Sequence, residues 1–143
     1  MELTSTQIKK YAKYSQPDLK KKAVTIFNKF IRERDMFGHN LFTCCSCNTT
    51  KDKSQMNAGH FHSAGHNGAI EFDERNVNGQ CIYCNLHNHG NPLGYKTFML
   101  KKYGQSVLDE LEQKRNLPFK PDRFYFIGII LEYTEKVKKL SKC

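Results

Sequence analysis

The chain has 143 residues, with 23 lysines and arginines against 14 aspartates and glutamates, a formal net charge of +9 and a pI near 9.3. That length suits one domain with a modest core, and a mean hydropathy of −0.67 keeps the core small. No run approaches the ~20 apolar residues that span a bilayer, and the opening Met1-Glu2-Leu3-Thr4-Ser5 has no apolar signal-peptide core. A membrane role is thereby disfavoured and a cytoplasmic protein is expected. Lysines recur in separate segments, Lys20-Lys21-Lys22, Lys101-Lys102 and Lys138-Lys139. Such an excess of positive charge predicts a polyanionic partner, because neutralising phosphates releases counterions.

Ser15-Gln16-Pro17-Asp18 opens the first expected helix, since serine caps and proline is tolerated in a first turn. Leu19, Ala23, Ile26, Phe27, Phe30 and Ile31 then recur with helical period. Residues 1–16 are expected to be a basic N-terminal extension, and residues 17–143 a single domain. Phe37-Gly38-His39-Asn40 ends the helix. Residues 54–62 predict a strand on which Ala58, His60 and His62 share one face. Residues 63–68 form a loop, and residues 70–72 a second short strand that closes a hairpin. Residues 81–89 predict a short helix stopped at Gly90-Asn91-Pro92. Three further helices are expected over residues 95–103, over residues 106–114 and from Pro121-Asp122 onward. Ile127, Ile130, Leu131, Thr134, Val137 and Leu140 stripe the last of these. Tyr95, Phe98 and Tyr103 are read as core, and Asn78 and Asn91 as turn formers.

Six cysteines are present, and four form two Cys-x-x-Cys pairs, Cys44/Cys47 and Cys81/Cys84, with 33 residues between them. In a reducing compartment such pairs are metal ligands rather than disulfides. Four thiolates make a closed tetrahedral structural zinc site. The first pair should sit on a knuckle turn over residues 44–50 and the second at a helix start, the arrangement of a treble clef. Cys45 and Cys143 are read as bystanders.

His60 stands between the pairs, Asn76 follows it by 16 residues, and Asn85 follows Asn76 by nine. This layout resembles the His-Asn-His pattern of HNH nucleases, of the ββα-metal class. The runs Phe30-Ile31-Arg32-Glu33-Arg34-Asp35, Cys44-x-Ser46-Cys47, Ala58-Gly59-His60-Phe61, Phe72-Asp73-Glu74-Arg75-Asn76, Gln80-Cys81-x-x-Cys84-Asn85-x-His87 and Gly90-Asn91 further resemble the phage NinG (Rap) recombination nuclease family. The resemblance spans roughly residues 20–115. It implies an α+β fold: a zinc-bound treble-clef ββα-metal core of a short hairpin plus helix, surrounded by several helices. It also implies a metal-dependent endonuclease acting on branched recombination intermediates such as Holliday junctions and D-loops.

Carried over residue by residue, His60 is the general base, Asn76 fixes the loop and Asn85 holds a catalytic divalent ion. That ion would be Mg²⁺ or Mn²⁺, in addition to the structural Zn²⁺. Where many such enzymes place a further ligand, this chain has Gly59, so His89 or His87 is expected to complete the metal site. One near-neutral imidazole and one divalent ion suffice for phosphodiester hydrolysis. His62, Lys21, Lys22, Lys101 and Lys102 are candidate DNA contacts. A homodimer joined through residues 122–140 would suit two symmetric cuts. The competing functions are a non-catalytic zinc-finger nucleic-acid binder, which charge and zinc alone would support, and an HNH nuclease nicking duplex DNA or RNA.

Overall fold

The computed structural model describes residues 2–142; Cys143, read as a bystander, lies outside them. Helix α1 (Ser5–Tyr11) opens on a reciprocal capping box in which the side chains of Thr4 and Gln7 satisfy each other's backbone N–H. It occupies part of the segment expected as an extension, and it docks by burying Tyr11 against α5. Helix α2 (Gln16–Asp35) starts where expected, with the Ser15 hydroxyl accepting from the Asp18 N–H and Pro17 in the first turn. Its buried stripe is Leu19, Ala23, Phe27, Phe30 and Ile31.

Two antiparallel hairpins follow. Strands β1 (Leu41–Thr43) and β2 (Thr50–Asp52) flank the turn carrying Cys44 and Cys47. Strand β3 (Met56–His60) pairs with β4 (Val77–Cys81) in the register Met56↔Cys81 to His60↔Val77. Two corrections arise here. Residues 70–72 are not the partner strand: Gly68–Ile70 is a 3₁₀ turn and the partner is β4. The extended run is also shorter than residues 54–62, because Lys53–Gln55 is a 3₁₀ turn and β3 ends at His60. The expected alternation therefore does not carry on to His62.

All five residues of β4 are buried although Asn78, Gly79 and Gln80 are among them. Their polar groups are met individually. Asp35 accepts from the Gly79 N–H (2.8 Å), Arg34 donates to the Val77 carbonyl (2.8 Å), and Gly79 O accepts from Cys45 N–H (3.0 Å). Leaving such groups unpaired would cost about 1–3 kcal/mol each. Asn78 is consequently a strand residue and not a turn former, with its amide donating to the Tyr95 hydroxyl (3.2 Å) and its oxygen accepting from Arg34 (3.3 Å). Asn91 does form a turn, at φ 42°.

After β4 the chain winds into a π-helix (Tyr83–His87) instead of a helix reaching residue 89. Helices α3 (Pro92–Lys102), α4 (Gln105–Arg115) and α5 (Arg123–Ser141) complete the chain. The expected stripe of α5 is spent within the molecule: Phe126, Ile127 and Ile130 pack with Leu19 and Ala23, and Tyr133 and Val137 with Phe27, Phe30 and Ile31. The architecture is mixed α+β, with an α2–α5 layer on one side of the β3–β4 hairpin. A second core of Ile70, Tyr95, Met99, Leu108 and Leu111 lies under α3 and α4. No helix among the described residues is long and apolar enough to cross a membrane.

Candidate metal centre and adjoining pocket

The sulfurs of Cys44, Cys47, Cys81 and Cys84 all lie within 4.8 Å of one another. Cys47 Sγ and Cys81 Sγ are 3.9 Å apart, close to the roughly 3.8 Å edge of a tetrahedron with 2.3 Å metal–sulfur bonds. The donor set therefore fits a metal such as zinc. Local backbone builds it: Asn48 at φ 60° turns the chain between Cys44 and Thr49, whose carbonyl accepts from Cys44 N–H at 2.9 Å. Backbone N–H groups then aim at sulfur, Cys81 N at Cys44 Sγ (3.3 Å) and Cys84 N at Cys81 Sγ (3.4 Å).

Charge in this cage is unevenly favoured. A hydrogen bond from the Cys45 side chain, aided by backbone N–H groups, draws Cys44 down to about 3. Burial pushes Cys81 up, opposed by hydrogen bonds from Cys84, and pushes Cys84 up to about 12, where the neighbouring Cys81, Cys44 and Cys47 sulfurs add to it. Four crowded sulfurs cannot all ionise alone, and a divalent cation reverses that logic. Cys45 itself packs with Ile70, Tyr95 and Met99, outside the cage.

The cage is bolted to its surroundings. Gln80, buried beside Cys81, donates to Ser46 Oγ and to Gly90 O, both at 2.8 Å. Asn91 caps α3 by accepting from Gly94 N–H and also donates to Cys84 Sγ at 3.5 Å. Gly94 is required there, since a Cβ would stand 2.0 Å from the Ser46 carbonyl oxygen. Gly59, where a further ligand was sought, is filled by Gln80: a Cβ would meet Gln80 Oε1 at 2.0 Å. The Gly59 carbonyl accepts from the Tyr95 hydroxyl at 2.6 Å, tying β3 to α3.

Beside the cage, a cavity of about 430 Å³ is lined by His60, Asn85, His89, Ser63 and Pro92 among others. His60 Nε2 lies 2.9 Å from the Glu71 carbonyl. A carbonyl only accepts, so Nε2 carries the proton and Nδ1 keeps the lone pair of the neutral ring. Burial holds the His60 imidazolium below the ordinary histidine range, partly opposed by the Glu71 hydrogen bond. The neutral ring is thereby favoured, with its Nδ1 lone pair available to a proton donor.

Asn76, fully buried, clamps the far side of the loop. It accepts from His62 N–H (2.8 Å) and donates to His62 O (3.0 Å) and Ile70 O (3.4 Å). Asn85 and His89 face the cavity with side chains that hydrogen-bond to none of the described residues. His89 reaches it for a different reason than helical spacing. The π-helix stops at His87, and His89 (φ 51°), Gly90 (φ 80°) and Asn91 (φ 42°) form a left-handed turn that folds back.

The remaining expected residues lie apart. His87 is exposed and does not line the cavity. The His62 ring turns toward α4, 3.7 Å from Glu112, and is held below the ordinary histidine range by burial and Arg115. Lys21, Lys22, Lys101 and Lys102 are exposed; the Lys102 ammonium reaches Asn78 Oδ1 at 3.4 Å. Sequence reading assigned no role to Gln80, although it adjoins Cys81 in a family-like run. It also missed Glu71, whose contribution to His60 is a backbone carbonyl and leaves no trace in residue type.

A family model described as the bacteriophage lambda NinG protein matches residues 1–143. The chain is 38% identical to "Protein ninG" of Escherichia phage 933W over 96 residues, 67% of this chain and 45% of that protein. It is 36% identical to that of Escherichia phage lambda over the same shares. For that of Salmonella phage P22 the figure is 37% over 92 residues, 64% of this chain and 43% of that protein. The chain thus matches less than half the length of these curated relatives. No solved structure matches it. With four metal-competent cysteines and a family match along its whole length, this chain belongs to the NinG family.

Proposed function

We propose that this protein is a metal-dependent endonuclease of the HNH, ββα-metal type that hydrolyses phosphodiesters in branched DNA. One observation carries the reading: His60, with its Nε2 proton committed to Glu71 O, shares a cavity with the free side chains of Asn85 and His89. Each has a role in that chemistry. His60 Nδ1 takes the proton of the attacking water as the new oxygen–phosphorus bond forms and the bond to the leaving oxygen breaks; solvent protonates the leaving oxygen. Asn76 holds the loop that ends at Glu71, and so holds His60 in aim. Asn85 offers a hard oxygen and His89 an imidazole to a Mg²⁺ or Mn²⁺ ion, which when bound supplies charge relief at the phosphate. The four cysteines, read as a zinc-bound treble clef, fix β4 and the π-helix so that Asn85 meets His60.

Charge supports a nucleic-acid substrate, and the family resemblance supports a branched one. The test is cleavage of a synthetic four-way junction, D-loop, flap, linear duplex and RNA with added Mg²⁺ or Mn²⁺. Wild type should cut the branched forms, and His60→Ala should be slower by about 10²–10⁴-fold, the span that general-base catalysis covers. Equal cleavage by both removes His60 from the mechanism. Tight binding with no cleavage under any divalent ion returns the non-catalytic zinc binder, and cleavage of linear duplex or RNA alone returns the third alternative.

A further inference from the structure

Three depressions are linked in series by shared lining residues. The His60 cavity shares His60 and Ala64 with a second one, which is also lined by Lys20, Asn28, Glu71 and Phe72. That one shares Lys20 with a third, lined by Gln16, Pro17, Pro121 and Phe126. The track therefore runs from the site of the proposed chemistry to the elbow between α1 and α2. The elbow carries six lysines, Lys9, Lys10, Lys13, Lys20, Lys21 and Lys22, against a single acidic residue, Asp18.

The elbow is built and not merely frayed. Arg123 donates to the carbonyls of Tyr11 (3.1 Å) and Tyr14 (3.0 Å), and α1 is capped and docked. On this frame the ammonium groups of Lys22 and Lys13 sit 4.5 Å and 5.3 Å from the centre of the one Tyr14 ring. Neither has a carboxylate partner among the described residues. Two like charges gathered on one ring repel, and the ring's negative face only partly offsets that. A chain of phosphates offsets it fully and releases counterions. Lys20 stands at the join, its ammonium 3.7 Å from the buried Glu71 carboxylate, whose own backbone holds His60.

We propose that one strand of the nucleic-acid substrate leaves the His60 cavity along this track, its phosphates held by Lys20, Lys13 and Lys22. The inference rests on the nuclease reading for its starting point, and it assigns a binding role to Lys20 and to the elbow that follows α1. The experiment measures binding of a fluorescein-labelled four-way junction to the full chain by anisotropy, from 50 to 300 mM salt and without added divalent ion. Replacing Lys13, Lys20 and Lys22 together by glutamine should reduce the slope of log K against log salt by about 2–3, or roughly 0.7–0.9 per lost contact. Replacing Lys53, Lys138 and Lys142, which neither line the depressions nor belong to the lysine cluster of the elbow, should leave it unchanged. An unaltered slope in the first triple variant, or an equal fall in the second, overturns the proposal. So does wild-type binding to phosphatidylserine vesicles that competes equally with the junction. Cleavage is scored separately: a slope loss without any metal-dependent cleavage keeps the track and refutes the nuclease, and cleavage with an unaltered slope does the reverse.

Discussion

The layer formed by α2 and α5 and the segment from Cys44 to Asn91 are held together by different physics. In the first, leucine, isoleucine and aromatic side chains bury a continuous stripe, with Phe27 packed edge-on to Tyr133 at 4.8 Å and to Phe72 at 5.3 Å. In the second, the buried residues include Asn76, Asn78, Gln80, Cys44, Cys81 and Cys84, and cohesion comes from side-chain bonds to backbone around a cysteine cluster that could hold a metal. A hydrophobic layer tolerates small displacements, because its energy is not directional. A site that aims one imidazole at a cavity requires directional contacts, and the candidate site sits wholly on that side of the divide.

The sharpest way to break this comparison is to remove the metal. Structural zinc contributes apparent binding energies on the order of 10 kcal/mol to folding. Cys81→Ser, or chelation, should therefore strip hydrogen-exchange protection from the β3–β4 hairpin and the π-helix before α2 and α5 lose theirs. Simultaneous loss everywhere would show that the two regions unfold as one, and unchanged melting with no bound zinc would remove the metal from the fold. A truncation in the other region makes the converse test. Phe27 is about 1% exposed between α2 and α5, and Phe27→Ala should cost about 3–5 kcal/mol by cavity formation. Chemical denaturation should report that loss while zinc content stays intact.

The same division explains what could be read from residues alone. The stripe of α2 and its Ser15 cap, the starts of α4 and α5, and the cysteine cage rest on periodicities and spacings that local physics enforces. Strand β4 escaped because Val77-Asn78-Gly79-Gln80-Cys81 has neither alternation nor apolar weight. Its burial is made tolerable by Arg34, Asp35, Tyr95 and Ser46, all distant in sequence. Helix α1 escaped because only Tyr11 of its seven residues is buried, although Thr4 and Gln7 spell its capping box. The left-handed turn at His89 has no signal beyond Gly90-Asn91, and its placement depends on Gln80 reaching Gly90 O.

Asn76→Ala tests the directional side at intermediate strength. It removes one acceptor and one donor from the half-buried backbone groups of His62, at most about 1–3 kcal/mol for each group left unpaired. Thermal melting should fall accordingly, and cleavage should fall further than stability predicts because the Glu71 carbonyl loses its registration on His60. Cleavage that tracks stability alone would reduce Asn76 to a packing residue.

The pH profile follows with a smaller but distinctive effect. Burial depresses the His60 pKa, so the neutral ring is favoured in the folded state. Its contribution to stability is present above the unfolded value near 6.5 and is lost as pH falls through the folded value. Cleavage under single-turnover conditions should rise with pH along a limb centred below 6.5 and level off above it. A limb centred well above 6.5 would assign the base to another group.

The smallest expected contrast separates His87 from His89, two residues apart in sequence and divided by the end of the π-helix. His89 lines the cavity with Asn85, whereas His87 is exposed outside it. Losing one ligand worth about 1.4 kcal/mol raises the Mn²⁺ concentration for half-maximal cleavage about tenfold, and His89→Ala should show that shift with melting unchanged. His87→Ala should move it less than threefold, since nothing connects its ring to the cavity. The reverse ranking would mean that the turn at Gly90 rearranges when the divalent ion binds, and would move the metal from the left-handed turn onto the π-helix itself.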